Sequence, residues 1–190
     1  MRNIINLTVR LTVIMLIAAL CLGATDMLTR EPIKQQRAAV EEELRRAVIE
    51  QLGEVTFEKL DLPGDAPETI LGIYKATSSG GEGYVFALSK SGFGGPISMM
   101  VGILADGTVS GVRIASHTET PGLGAKAEDE AFYGQYAGKD AQSLSVIKSG
   151  ETGSNEIAAI TAATVTSQAV TDAVNAAIDT FNAHYKGALA

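Results

Sequence analysis

An uncharged, apolar stretch near the N-terminus limits most strongly how this chain can fold. Residues 11–25 (LTVIMLIAALCLGAT) carry no charged side chain. The run extends back to Ile4 and reaches about 22 residues, because the stem of Arg10 can lie along an apolar surface. A helix of that length crosses a lipid bilayer. We therefore expect residues 1–30 to form a transmembrane anchor.

A cleaved signal peptide is the alternative to a retained anchor. Arg2 and Arg10 resemble the basic start of a signal sequence, and Ala18, Ala19 and Ala24 are small enough for a cleavage site. Basic residues flank the apolar run on both sides, so the positive-inside rule does not fix its orientation. A short tail before Arg10 is easily kept in the cytoplasm, which favours placing the larger C-terminal part outside the cytoplasm.

Composition restricts the function of the remaining chain. With 190 residues, 46% of them hydrophobic, it is long enough for about one compact domain. A formal net charge of -7 and no basic stripe argue against nucleic-acid binding. One Cys and two His cannot form an internal disulfide, a cysteine-rich zinc site or an iron–sulfur cluster. We expect no metal site, and any redox chemistry requires an organic cofactor.

Two segments with different patterns follow the apolar run. Residues 31–52 are rich in helix-forming residues with an apolar stripe, and residues 61–67 (DLPGDAP) carry turn signals. We therefore expect a juxtamembrane helix and linker over residues 31–66 and a domain over residues 67–190.

The domain begins with short β-type runs separated by glycines: ILGIYKA, GYVFALS, PISMMVGIL and TVSGVRIAS. The turn dipeptide Asp106–Gly107 predicts antiparallel pairing of residues 96–104 with 108–116. A shorter strand is expected at residues 144–148. After Thr166 and Ser167, apolar residues recur at helical spacing, which predicts a terminal helix packed on the sheet. The fold class is therefore α+β, with a mainly antiparallel sheet and packed helices.

Three segments are candidates for ligand binding. Residues 161–167 (TAATVTS) gather hydroxyls at a helix entry, where free N–H groups favour an anion such as phosphate. Ordinary helix capping by Ser and Thr is the alternative. Residues 117–124 (HTETPGLG) form a polar loop after a strand, a place where ligand sites are common, or else a tight turn. Residues 92–95 (GFGG) lack the following helix of a dinucleotide fingerprint.

No arrangement of side chains indicates catalysis. His117 is the candidate acid or base, but an isolated histidine is more often a structural residue that forms hydrogen bonds. No Ser, His and Asp ordering stands out in the chain. We therefore assign no catalytic residue.

Four features follow one another along the chain: the anchor, GYVFALSKSGFGG, ADGTVSGVRIASHTETPGLG and EIAAITAATVTSQAV. In this order they resemble the FMN-binding-domain family. The resemblance is closest to the G subunits of Rnf-type ion-translocating electron transport complexes. The C subunit of the sodium-pumping NADH:quinone reductase is similar but usually longer. In this family a flavin transferase joins the phosphate of FMN to a Thr in the pattern acidic-x-x-Ser/Thr-Gly-Ala-Thr.

Carried over position by position, the resemblance makes Thr164 the residue that bears covalent FMN. Two positions depart from the pattern: Ala158 stands where the acidic residue is expected, and Ala162 stands where glycine is usual. The ETPGLG loop matches without departure and lies beside the flavin ring in the family. The other cofactor-binding residues that the resemblance implies are Thr161, Ala163, Thr166, His117, Glu119, Thr120, Pro121, Gly122, Leu123 and Gly124.

The resemblance implies an electron-transfer subunit of a membrane-bound complex that couples ferredoxin and NAD to ion movement. Its partners are then other integral membrane subunits, the flavin transferase and the membrane, and its domain lies outside the cytoplasm at the cell (inner) membrane. One alternative is a structural or assembly subunit without flavin, since Ala158 and Ala162 depart from the pattern. Another is a stand-alone extracellular flavoprotein.

Overall fold

The computed structural model describes residues 2–148 and 152–186. The chain forms two compact units that divide between residues 41 and 42. The second unit combines an antiparallel sheet with packed helices, which confirms the α+β class predicted from the sequence.

The first helix, α1 (Arg2–Ala47), is continuous, so the expected anchor and juxtamembrane helix form one element with Pro32 inside it. Among the helices of the described residues, α1 is the one long and apolar enough to cross a bilayer. A signal sequence near an N-terminus meets the same criteria of apolar length and composition, so these properties alone make α1 a candidate span.

Five strands form one sheet in sequence order, and each pair of neighbours is antiparallel. The four strands expected from the glycine-separated runs are present, and Leu104 N–H bonds to the Thr108 carbonyl across the Asp106–Gly107 turn. The first strand is an addition to the expected sheet, because it lies within residues 31–66. The strands are β1 (Thr56–Leu60), β2 (Ile70–Ser78), β3 (Gly81–Ser91), β4 (Pro96–Leu104) and β5 (Val109–Ser116).

The segment that follows α1 covers one face of the sheet. Val48 and Ile49 are fully buried there, in a cluster with Val85 and Met100. The Ser110 hydroxyl donates to the Val48 carbonyl oxygen at 2.7 Å. A Cβ atom at Gly102 would overlap the same oxygen, so glycine is what allows this close approach.

The last helix, α3 (Thr164–His184), covers the opposite face, as the sequence predicts. Its buried stripe includes the apolar positions expected from helical spacing, and Phe181 meets Tyr84 of β3 edge to face at 5.8 Å between ring centroids. The fully buried stripe residues are Val170, Ala173, Val174, Ala177, Ile178 and Phe181.

A small second sheet lies beside this core. The strand expected at residues 144–148 is β6 (Ser145–Ile147), which pairs in parallel with β7 (Glu156–Ala158). A short helix, α2 (Glu130–Tyr133), lies between β5 and β6 in the chain. The side-chain amide of Gln135 accepts the Ala158 N–H at 2.8 Å and donates to the Ala158 carbonyl at 3.3 Å. These two bonds hold the end of β7, just before the segment that leads to α3.

Candidate functional site

The three segments singled out in the sequence meet around one cavity. It has a volume of about 380 Å³ and opens at the start of α3. Its walls come from the GFGG segment, the ETPGLG loop and the first turn of α3, which are far apart in the sequence. The lining residues are Phe93, Glu119, Thr120, Leu123, Gly124, Ala162, Ala163, Thr164, Val165 and Thr166.

Glu119 joins the three segments. Its side chain is buried, with one carboxylate oxygen accepting the Gly94 N–H at 2.8 Å and the other accepting the Thr166 hydroxyl at 2.6 Å. A Cβ atom at Gly124 would overlap the second oxygen and come within 2.7 Å of Thr166 Oγ1. The last glycine of ETPGLG therefore leaves room for the carboxylate.

The first turn of α3 is free of side-chain caps. The helix begins at Thr164, ahead of the start expected after Thr166 and Ser167, and Ala163 at the N-cap position has no capping hydrogen bond. The Ser167 hydroxyl accepts the Ile160 N–H at 2.9 Å and donates to the Ala163 carbonyl at 3.0 Å, so it shapes the preceding turn. The capping interpretation of these hydroxyls is therefore wrong. Residues of the first turn of α3 line the cavity, and a helix start offers free N–H groups and the positive end of the helix dipole.

Ala162 adopts a left-handed backbone conformation, with φ of 63°. Among the described residues it is the one non-glycine residue with positive φ. This is the position where the family pattern carries glycine, so the chain keeps a glycine-type backbone in spite of the added methyl group. The turn that leads to Thr164 is thus preserved at some cost in strain.

Other residues expected at the site lie further from the cavity. His117 Nδ1 accepts the Glu119 N–H at 3.1 Å and His117 Nε2 lies 3.1 Å from a Glu128 carboxylate oxygen, so the ring holds the base of the loop. Pro121 and Gly122 are exposed at the loop tip and do not line the cavity. Thr161 lines a neighbouring cavity of about 270 Å³, together with Ala158 and Gln135.

Apolar side chains surround the mouth of the cavity. Phe93 is 75% exposed and Val165 is 56% exposed, and Leu123 on the facing loop is exposed as well. Exposed apolar side chains around one cavity indicate a binding site. Three lining residues are absent from the predicted cofactor-binding residues, although each lies in a segment that the sequence analysis singled out: Phe93, Ala162 and Val165. The available signal for Val165 was its position outside the buried stripe of α3.

Comparison with known proteins gives the family. Residues 92–179 match the FMN-binding domain model. The chain is 35% identical over 183 residues to the G subunit of the Na(+)-translocating ferredoxin:NAD(+) oxidoreductase complex of Acetobacterium woodii, and the match covers 90% of this chain and 88% of that protein. The chain belongs to the family of these G subunits.

A second member of this family, the G subunit of the proton-translocating ferredoxin:NAD(+) oxidoreductase complex of Clostridium ljungdahlii, is 31% identical over 179 residues; the match covers 93% of this chain and 91% of that protein. The fold is also that of the C subunit of the Na(+)-translocating NADH-quinone reductase from Parabacteroides distasonis, with a TM-score of 0.59 and 19% identity. That likeness covers 81% of this chain and 94% of the solved one.

Proposed function

We propose that this chain is the flavin-carrying electron-transfer subunit of a membrane-bound, ion-translocating ferredoxin:NAD oxidoreductase complex, with FMN bound through its phosphate to Thr164. The observation that carries the proposal is the cavity at the start of α3, which has Thr164 in its wall and lies within a matched FMN-binding domain. The names of the two relatives support the role in such a complex.

The cavity fits FMN in size and polarity. Its volume of about 380 Å³ lies in the range of cofactor pockets, and Phe93, Leu123 and Val165 offer apolar surface to a planar ring. The uncapped first turn of α3 offers N–H groups and the positive end of the helix dipole to a phosphate. FMN supplies the electron chemistry, and the chain binds, orients and partly encloses it.

The departures at Ala158 and Ala162 leave this geometry intact. Ala162 retains the left-handed conformation of a glycine position. Gln135 holds Ala158 by both backbone groups, so the segment before the site is fixed without an acidic side chain. Thr164 is only half-buried, and Ala162 beside it is small. A flavin transferase can therefore reach the Thr164 hydroxyl.

The attachment site is tested by in-gel flavin fluorescence of the denatured full-length chain, expressed with a flavin transferase. Covalent fluorescence is expected in the parent and in Thr152→Ala, and it is expected to disappear in Thr164→Ala because the linking hydroxyl is gone. A Thr164→Ala band as bright as that of the parent would contradict the assignment. Thr152→Ala is the matched control, since it removes an exposed hydroxyl outside the family pattern.

We further propose that α1 is a retained anchor, that other integral membrane subunits bind this chain, and that the domain lies outside the cytoplasm. Alkaline phosphatase fused to the C-terminus is expected to be active, and an N-terminal tag is expected to stay in the membrane fraction. An inactive fusion would place the domain in the cytoplasm, and loss of the tag would show cleavage.

A flavin-free structural subunit of the same kind of complex is the second candidate. It is favoured by Ala158, since the acidic residue of the family pattern is missing. The visible spectrum separates the two functions, because the first predicts flavin absorbance that survives denaturation. A colourless parent, with the transferase shown to be active on another protein, would support the structural role.

A further inference from the structure

Glu119 is the one buried acidic side chain among the described residues, with 5% exposure. Donors from two other segments, the Gly94 N–H and the Thr166 hydroxyl, bond to its two oxygens. This arrangement matches an ionised carboxylate, which only accepts hydrogen bonds. Charge-assisted hydrogen bonds of this kind are stronger than neutral ones, so Glu119 is well placed to hold the cavity walls together.

No opposite charge faces this carboxylate in the described part of the chain. None of the ion pairs there includes Glu119, and no Lys or Arg lines the cavity. His117 turns its accepting Nδ1 toward the Glu119 backbone and its other nitrogen toward Glu128. A buried charge without a partner acts strongly on its surroundings, because little water screens it.

We propose that Glu119 has two roles: it positions the first turn of α3 against both loops, and its negative charge lowers the midpoint potential of the flavin in the cavity. The second role rests on the proposed function, and the first does not. The physical reason for the second is Coulombic, since a nearby negative charge opposes the addition of electrons to the flavin.

The electrostatic role is tested with Glu119→Gln, which keeps the size of the side chain and one accepting oxygen. Its new amide donates to Thr166 Oγ1, because a hydroxyl also accepts. In spectroelectrochemical titration of the flavin-loaded full-length protein, we expect the ratio of reduced to oxidised flavin at a fixed potential to rise about tenfold. Glu130→Gln is the matched control: it removes an exposed carboxylate from α2 and is expected to leave the ratio unchanged. An unchanged ratio in Glu119→Gln, or an equal rise in Glu130→Gln, overturns the electrostatic role.

The positioning role is tested on full-length protein expressed without the transferase, so that it does not depend on flavin. Amide hydrogen exchange is expected to be at least about tenfold faster in Glu119→Ala at Gly94, whose N–H bonds to Glu119, and at Ser167, whose N–H bonds to the Ala163 carbonyl in the first turn of α3. Glu119→Gln is expected to exchange nearly as the parent does, since both contacts remain. Parent-like exchange in Glu119→Ala overturns positioning.

The two experiments also separate this inference from the proposed function. A parent that carries no covalent flavin after expression with the transferase overturns the proposed function and the electrostatic role with it. The hydrogen-exchange result still decides the positioning role in that case, because it is measured without flavin.

Discussion

At the residue scale, Ala162 keeps a backbone conformation that its side chain disfavours. A left-handed conformation costs an L-residue roughly 1–2 kcal/mol, because Cβ crowds the following carbonyl oxygen. The conformation persists because the turn after Ile160 has to lead the chain into α3. That path puts Thr164 in the cavity wall. The fold thus imposes a glycine-type position on an alanine.

We predict that Ala162→Gly stabilises the protein. Relief of strain exceeds the extra freedom of glycine in the unfolded chain, so the free energy of unfolding should rise by about 0.5–1 kcal/mol. Chemical denaturation followed by circular dichroism measures it. Ala159→Gly, at a nearby half-buried position where φ is not positive, should instead lower it by about 0.5–1 kcal/mol. Equal losses in both variants would argue against strain at Ala162.

At the scale of elements, the close approach of the segment after α1 to the sheet depends on one glycine. The Val48 carbonyl oxygen occupies the space that a Cβ at Gly102 would take, and it also accepts the Ser110 hydroxyl. A side chain at this position must push that segment away from the sheet or bend β4. Either change disturbs a buried cluster that has little free space.

We predict that Gly102→Ala lowers the free energy of unfolding by at least about 2 kcal/mol. Thermal or chemical denaturation of the detergent-purified protein measures the loss. Gly64→Ala is the matched control, because nothing lies within 4 Å of a Cβ there and its φ is not positive; it should change stability little. A Gly102→Ala variant as stable as Gly64→Ala would show that the contact is easily rearranged.

Local patterns explain which elements were predictable. The hairpin around Asp106–Gly107 and the apolar stripe of α3 are visible within short windows, and both are present. Strand β1 escaped prediction because its charged residues, Glu58 and Lys59, are exposed at the edge of the sheet and leave no apolar alternation. Its pairing with β2 is a tertiary contact that no short window contains.

At the scale of the whole molecule, stability depends on pH through a tyrosine of the core. Burial raises the pKa of Tyr136 above its usual value near 10, and the Tyr136 hydroxyl lies 2.7 Å from Thr171 Oγ1 of α3. The unfolded chain releases this proton near pH 10, whereas the folded chain retains it. The stabilisation is therefore complete below pH 10 and is lost as pH rises above it.

We predict that the free energy of unfolding falls above pH 10, by up to about 1.4 kcal/mol per pH unit from Tyr136. Tyr136→Phe should make this fall less steep and should lower stability at neutral pH by about 1 kcal/mol through the lost hydrogen bond. Denaturation at several pH values measures both effects. Burial also raises the pKa of Tyr84 and Tyr185, so Tyr84→Phe is a control with a smaller expected effect. An identical slope in Tyr136→Phe and the parent would contradict the prediction.

The site was only partly predictable from the sequence. Its three segments could be found because each has a local signal: hydroxyls before a helix, glycines after a strand, and glycines around Phe93. Their meeting at Glu119 could not be found, because its partners lie 25 and 47 residues away in the chain. The left-handed conformation of Ala162 could not be predicted from the sequence either, since an alanine by itself indicates no positive φ.

A cavity whose walls are separated this far in sequence has a consequence for biosynthesis. While the ribosome is still adding the 47 residues from Thr120 to Thr166, the chain holds both loops but cannot yet form the cavity. An enzyme that recognises the shape of this cavity must act after translation has passed α3 and the chain has folded. On the proposed function, a yellow colour would then mark those chains that have completed folding, and misfolded copies would remain colourless.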